Sequence, residues 1–517
     1  MLNLVFHDQS MLTRIIIISF LLISLPSETQ VYNNRPTPND FFKYHFEDLG
    51  FSSSNNPGVF LIGLVKIFST PQNDPNYIRP YPLILDRNGY ILWYAKPQIR
   101  NISTFEYEPV SKRFAFSYFS QGEQPVAILD SNLNYIDTLN SIGVTRDGHD
   151  FRFSASSTYL IATMYIDTMD LSAYTFDGSP GSTNELVRGF GVQEQDAVGN
   201  ILFEWNSNDH IHPSEMSPFW GYPQPELDYA HGNSIEEDSD GHLILSMRHL
   251  NAVYKINRQT GDIIWQLGGV NSDFVFVNDA GFSAQHDARV LPNGHLSVFD
   301  NGNESNPQVS RGVVYELDTM NWIATKQEEY VFPNGLVYGP AMGSFRKYDD
   351  FTLTGFGRIF RPEPSVMMTD EQGNLLGSIS FEDSVMCYRV TYAEPDLPER
   401  PEISCEWNGT HWELVAPNSA EYFWSTGEQT QSIVINQADT FQVWIPQGAG
   451  YLGSEPYIIS DPSNPCLLEA TELQNTTTLS FRLFDLLGRE IDKVVPNLPY
   501  LKVFSNGKVE RYMKFEN

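Results

Sequence analysis

Short apolar runs separated by polar turns fill the chain from about residue 57 to 395, and one arrangement recurs along them. An acidic or polar turn carrying Gly or Asn leads into a run that often contains Trp. The copies read DRNGYILWY (86–94), DSNLNYIDTL (130–139), DAVGNILFEW (196–205), NRQTGDIIWQL (257–267), DTMNWIATK (318–326) and DEQGNLLGSISF (370–381). Each predicts a hairpin turn entering a strand. From Asp86 to Asp370 the mean spacing is about 57 residues, longer than the roughly 40–50 of common propeller repeats. Alternating runs such as RFAFSYF (113–119) and LILSM (243–247) lie between the copies, and no long amphipathic helix is evident. A four-stranded sheet repeated six times around an axis accounts for this, so an all-β, six-bladed β-propeller over residues 58–397 is expected. A β-sandwich array is the alternative, and a seventh, degenerate blade stays open.

Three histidines open equivalent segments in successive repeats: GHDFRFSASSTYLIATM, AHGNSIEEDSDGHLILSMR and QHDARVLPNGHLSVFDN. Repeats wound about one axis bring equivalent positions together, so His149, His231 and His286 are expected to face a central funnel from adjacent blades. The fourth equivalent position, Gly343–Ser344, continues the repeat without an imidazole. Asn233 lies two residues beyond His231, where strand alternation returns it to the same face. Arg248 follows the run 243–247 and is placed to aim its guanidinium at the mouth. One guanidinium among several imidazoles suits a tetrahedral oxyanion, since the guanidinium binds two oxygens as a fork and neutral imidazole donates, accepts or attacks. The competing reading is packing, because Gly148–His149 looks like the Gly-His dipeptide that WD-type propellers use structurally. His242 and His295 read as structural, and His210 and His212 lack the partners that a metal site needs. Trp220, Phe219 and Tyr229 are expected either to cover the funnel or to pack a long loop.

Composition restricts the setting. Acidic residues outnumber basic ones 64 to 32, for a formal charge of −32. Such a surface repels nucleic acid and anionic membranes, which require clustered Lys and Arg. Residues 1–29 read as a secretory signal, with Arg14 before an apolar core at 15–25 that is too short to span a bilayer comfortably. No other run reaches about 18 apolar residues, so no transmembrane span is expected in the mature chain. Residues 30–57 read as an N-terminal linker. Cys405 and Cys466 bracket a small module, either as a disulfide or as free thiols. Its segment YFWSTGEQTQSIVINQADTFQVWI (422–445) resembles immunoglobulin-like modules of exported proteins, giving an Ig-like domain at 403–466. The last stretch, with LFDLLGR (483–489) and the terminal Gly507–Lys508–Val509, resembles the C-terminal sorting domain of the type IX secretion system, expected at 470–517. That resemblance implies secretion machinery as a partner and a secreted or cell-surface location, or a periplasmic one if the tail is not a sorting signal.

The funnel motifs resemble the arylsulfotransferase (aryl-sulfate sulfotransferase) family. The stretches that carry the likeness are Gly148–His149–Asp150, His231–Gly232–Asn233 with Ser246–Met247–Arg248, TGDIIWQLGG (260–269), and QHDARVLPNG (285–294) with FDNG (299–302). The resemblance implies a six-bladed propeller that moves a sulfuryl group from a phenolic sulfate to a phenolic acceptor, with no cofactor. It further implies that His286 is the nucleophile, transiently sulfated, that His149, His231 and Arg248 hold the sulfate oxygens, and that Asn233 assists. Which of His149 and His231 protonates the leaving phenolate stays open. Two other classes compete: a non-catalytic binding or adhesion protein, and a quinone- or metal-dependent propeller enzyme, against which the missing vicinal cysteines weigh.

Overall fold

In the computed structural model, residues 35–466 are described except 40, 54–56, 67–79, 97, 100, 120–123, 177, 222–224, 334–336, 360–362 and 383. Beyond them, the strands Phe481–Asp485, Pro499–Phe504 and Val509–Met513 and residue 489 are described. The expected signal segment, 1–29, lies outside the described residues, as do 486–488 and 507–508 of the tail motif. The protein is all-β. Among the described residues there are no α-helices, only short 3-10 turns, and no helix is long and apolar enough to cross a membrane.

Among the described residues, six sheets of at least four strands follow one another along the chain, antiparallel apart from the short edge strands Leu227–Asp228 and Val275–Val277. Their innermost strands are, in sheet order, Met386–Ala393, Ile102–Glu108, Thr145–Phe153, Gly232–Glu237, His286–Val290 and Ser344–Lys347. Each packs beside the next, and the last packs beside the first, so the sheets close a ring around an axis. Closure uses both ends of the segment. Met386–Ala393 pairs with Val59–Val65 to complete the first sheet, and Tyr44–Asp48 pairs with Leu375–Phe381 to complete the sixth. The stretch expected as a linker therefore contributes an edge strand. Phe42, Tyr44 and Phe46 are buried there because their alternating side chains meet a hydrophobic interior.

Every repeat identified in the sequence is the hairpin between the third and fourth strand of one sheet. The turn residue works by the same chemistry each time. Oδ1 of Asp196 accepts from the Val198 and Asn200 amides, and Asp370, Asp318 and Asp86 hold their turns alike. A short carboxylate that captures amides two to four residues ahead sets the turn before any long-range contact forms.

Residues 403–466 do not stand apart. Cys405 and Cys466 are joined, with Cα atoms 5.6 Å apart. The strand Gly450–Gly453 pairs with the edge strand Ile91–Ala95, so the module extends the first sheet outward. Trp444 is buried against that sheet and donates to the Ile91 carbonyl at 3.1 Å. Arg400, just before the module, binds Asp86 at 2.8 Å and the Gly453 carbonyl at 2.9 Å. Covering the first sheet's edge in this way removes a row of unpaired backbone groups. The three tail strands pair antiparallel into a sheet of their own.

Candidate functional site

Inner strands of five sheets carry a register shift near the axis, leaving extra residues unpaired with the neighbouring strand. The extra residues include Ser103, Asn233, Asp287 and Tyr388, and in the third sheet the interruption spans Asp147–Asp150. A bulge re-aims side chains out of strict alternation. The backbone is held unusually as well: His231, Asp287 and Met342 lie at φ of 47°, 56° and 62°, the left-handed region that such residues seldom occupy.

The three histidines come together as the repeat predicts. His149 and His231 rings are 4.9 Å apart, edge to face. His286, on the next sheet, is near enough for the charges of Arg248, His231 and His149 to act on it. The fourth position has no room for an imidazole: Gly343 has φ of 106°, and a Cβ there would sit 2.3 Å from the Phe299 ring. Arg248 follows its strand as expected. Its guanidinium lies 4.0 Å over the Trp220 ring, 3.1 Å from Nε2 of His249, and donates to the Pro340 carbonyl at 2.8 Å. No carboxylate pairs with it among the described residues, and burial lowers its pKa to about 10.

The imidazoles differ in what holds Nδ1. His149 is bonded to Asp147, and His231 to Asp228 at 2.6 Å. His286 instead faces two oxygens, Oδ1 of Asn301 at 2.7 Å and the Ala284 carbonyl at 3.1 Å. The Asn301 amide is fixed in that sense because its nitrogen donates to the Gly339 and Met342 carbonyls. Nδ1 of His286 therefore carries the proton and Nε2 the lone pair, which accepts the Met342 N–H at 3.2 Å. Charge follows these partners. For His149 burial opposes protonation, but the Asp147 carboxylate and its hydrogen bond outweigh it and raise the pKa. For His286 burial, reinforced by the cationic Arg248, pushes the pKa well below the usual value. Nε2 of His149 and of His231 makes no hydrogen bond among the described residues.

Asn233 is fully buried beneath this cluster. Its side-chain nitrogen donates to the Gln285 carbonyl at 2.7 Å and its main-chain carbonyl accepts from Arg389, so it braces two inner strands. Trp220 covers Arg248 and stacks on His249 with centroids 4.3 Å apart, whereas Tyr229 is core packing bonded to Ser207 and Phe219 is exposed. His210 stacks on Trp205 and His212 caps a 3-10 turn, both as loop residues. Sequence reasoning missed Asp147, Asp228, His249 and Asn301. Asp147 and Asp228 stand two and three residues before their histidines, a spacing that was readable. Asp228, His231 and His249 place ligand atoms within 4.8 Å of one another, but the Arg248 guanidinium beside His249 opposes a cation there.

The cavity touching His149, His231 and Asp228 holds about 10 Å³, enough for one water. That cavity reaches neither His286 nor Arg248. Nε of Arg248, Oδ1 of Asn233 and Oη of Tyr388 are buried without hydrogen-bond partners among the described residues. Such orphans are uncommon in folded proteins and concentrate where a ligand or water completes the bonding.

Below the histidines the axis is filled by paired charges. Asp150 and Asp287, both fully buried, each contact Arg389 and Arg289. Burial alone would raise both carboxyls, but the guanidiniums hold them low. Further along, Arg152 binds Glu106 and Glu236, Arg289 binds Glu236 at 2.9 Å, and Arg346 bridges Asp287 and Glu106. A larger cavity of about 440 Å³ opens at that opposite mouth, away from the histidines.

No curated protein matches the sequence. Among solved structures, similarity extends to a protein of unknown function from Bacteroides caccae, at 11% identity and a TM-score of 0.41 over 65% of this chain and 99% of that one. It also extends to a catalytically inactive virginiamycin B lyase from Staphylococcus aureus with quinupristin, at 10% identity and a TM-score of 0.33 over 80% of this chain and 98% of that one. A third is the β-propeller domain of Cps50 from Myceliophteria thermophila, at 10% identity and a TM-score of 0.32 over 74% and 93%. These are distant likenesses of overall form. Residues 126–348, which hold all three histidines and Arg248, match the family model described as arylsulfotransferase (ASST).

Proposed function

We propose that this protein is a six-bladed β-propeller that transfers a sulfuryl group from a phenolic sulfate ester to a phenolic acceptor through a sulfated His286. The observation that supports it is the contrast in Nδ1 partners inside the segment matching the arylsulfotransferase model. An amide-held, neutral His286 keeps a lone pair on Nε2, while carboxylate-held His149 favours its proton. In the first step Nε2 attacks sulfur, the sulfur–oxygen bond to the aryl group breaks, and His149 gives its proton to the departing phenolate. In the second step His149 takes the proton of the acceptor phenol, whose oxygen attacks sulfur and breaks the nitrogen–sulfur bond. Splitting the transfer in two lowers each barrier, and Arg248 with His231 balances the sulfuryl oxygens. The Met342 amide must release Nε2 before sulfur can approach it. Asn233 acts from below, by holding the strand that carries His231 against the one that carries His286.

The remaining modules fit an exported enzyme: 1–29 as signal peptide, 403–466 as an Ig-like module, and 470–517 as a sorting tail read by secretion machinery. A purified sample given a phenyl sulfate with a coloured leaving group should release colour faster when a phenol is added. Absence of release with any phenolic acceptor would leave the alternative, an exported propeller that binds without catalysis.

A further inference from the structure

The mouth opposite the histidines is a built pocket that the transfer reaction does not use. Its floor is formed by the far ends of the inner strands, and its volume of about 440 Å³ lies within the roughly 300–1,000 Å³ range of ligand sites. Buried Asp150, Asp287 and Arg389 separate it from the histidine end. The bonding on the floor is specific. Arg152 and Arg346 both reach Glu106 through Oε1, and Arg152 and Arg289 both reach Glu236 through Oε2. Oε2 of Glu106 and Oε1 of Glu236 are left without hydrogen bonds among the described residues. Arg152 and Arg346, 23% and 13% exposed, have more N–H groups than these bonds occupy.

The cavity thus offers free acceptors beside free donors, over four guanidiniums balanced by four carboxylates. An anion meets carboxylate oxygens, and a cation meets guanidiniums, so neither is favoured. A neutral hydroxyl satisfies both, donating to the carboxylate and accepting from the guanidinium. Tyr107, Phe153, Tyr348 and Tyr392 line the walls, adding apolar surface beside the polar floor. We infer that this mouth binds a neutral, polyhydroxylated ring compound, a sugar or the terminal sugar of a glycan. The inference does not rest on the sulfuryl-transfer reading.

Titration of the full chain with methyl glycosides of glucose, galactose, mannose and N-acetylglucosamine, followed by saturation-transfer NMR and calorimetry, tests this. Inorganic sulfate, benzoate and ethanolamine serve as charged comparisons. At least one glycoside is expected to bind saturably and the charged probes are not. Val290→Trp adds bulk at a residue that lines the cavity and, with the melting temperature checked alongside, should weaken that binding at least about tenfold. Glu236→Gln, which keeps the shape, should weaken it several-fold with the melting temperature checked alongside. His286→Asn, at the other mouth, should leave glycoside affinity unchanged, so this result and the fate of the transfer reaction separate. Failure of every glycoside to saturate, tighter binding of sulfate or benzoate, or full affinity in Val290→Trp overturns the inference.

Discussion

The two ends of the channel are built from the same six strands and have opposite electrostatic designs. At the far end, Asp150, Asp287, Glu106 and Glu236 each have a guanidinium, so these buried charges are cancelled within about one side chain's reach. At the histidine end the charges are left unbalanced: Arg248 has no carboxylate partner among the described residues, and one imidazole is raised while another is lowered. Paired ions contribute a fixed geometry. Unpaired, differently tuned groups are what proton transfer and nucleophilic attack require, and perturbed pKa values cluster where chemistry occurs. The ring therefore separates a rigid plug from a reactive mouth along a single axis.

The largest expected break in this contrast is His286→Asn. Turnover should fall on the order of 10⁴-fold, as for other lost nucleophiles, with an unchanged unfolding midpoint. Asp150→Ala acts on the other end and should behave inversely. Stripping a partner from buried Arg389 and Arg289 should cost about 3–5 kcal/mol by denaturant unfolding, while turnover per folded molecule stays within a few-fold. Equal stability in that variant would mean that the plug does not hold the ring.

Asp147→Asn sharpens the account of the reactive end. Asp147 is what lifts His149 against its burial, so the alkaline limb of the turnover–pH profile should move to lower pH in the variant. Stability carries the same sign. A raised His149 stabilises the fold fully below the unfolded value of about 6.5, and that contribution disappears as pH rises through its folded pKa. His286 and His249 are depressed, so their contribution is present above about 6.5 and is lost as pH falls. Equilibrium unfolding across pH 5–9 reads both effects as roughly opposite slopes. The smallest effect is expected for Trp220→Ala, which removes a cation–π contact worth about 0.5–2 kcal/mol and should raise KM for the donor up to roughly tenfold.

Local chemistry explains which parts of the fold were legible. Asp86, Asp196 and Asp370 set their own turns through bonds to nearby amides, so the repeat could be read from residues a few positions apart. His149, His231 and His286 were legible because repetition carries rotational equivalence. Ring closure was not, since Tyr44–Asp48 and Met386–Ala393 find partners more than three hundred residues away. The axial ion pairs were equally hidden. Arg152 and Arg289 alternate with apolar residues and Glu236 and Arg346 adjoin further charges along short strands, patterns that ordinarily mark a solvated face. Asn301 stood inside a quoted motif, but its bond to His286 depends on a bend that brings the Gly339 and Met342 carbonyls to its amide.

The central claim is that Nε2 of His286 carries the sulfuryl group between donor and acceptor. Incubating the full chain with an aryl sulfate and no acceptor, quenching at alkaline pH and mapping peptides by mass spectrometry reads it directly. The account predicts an added SO₃ on the His286 peptide that disappears when a phenol is supplied and never forms in His286→Asn. Turnover that proceeds with SO₃ on His149, on His231 or on no residue at all would contradict it.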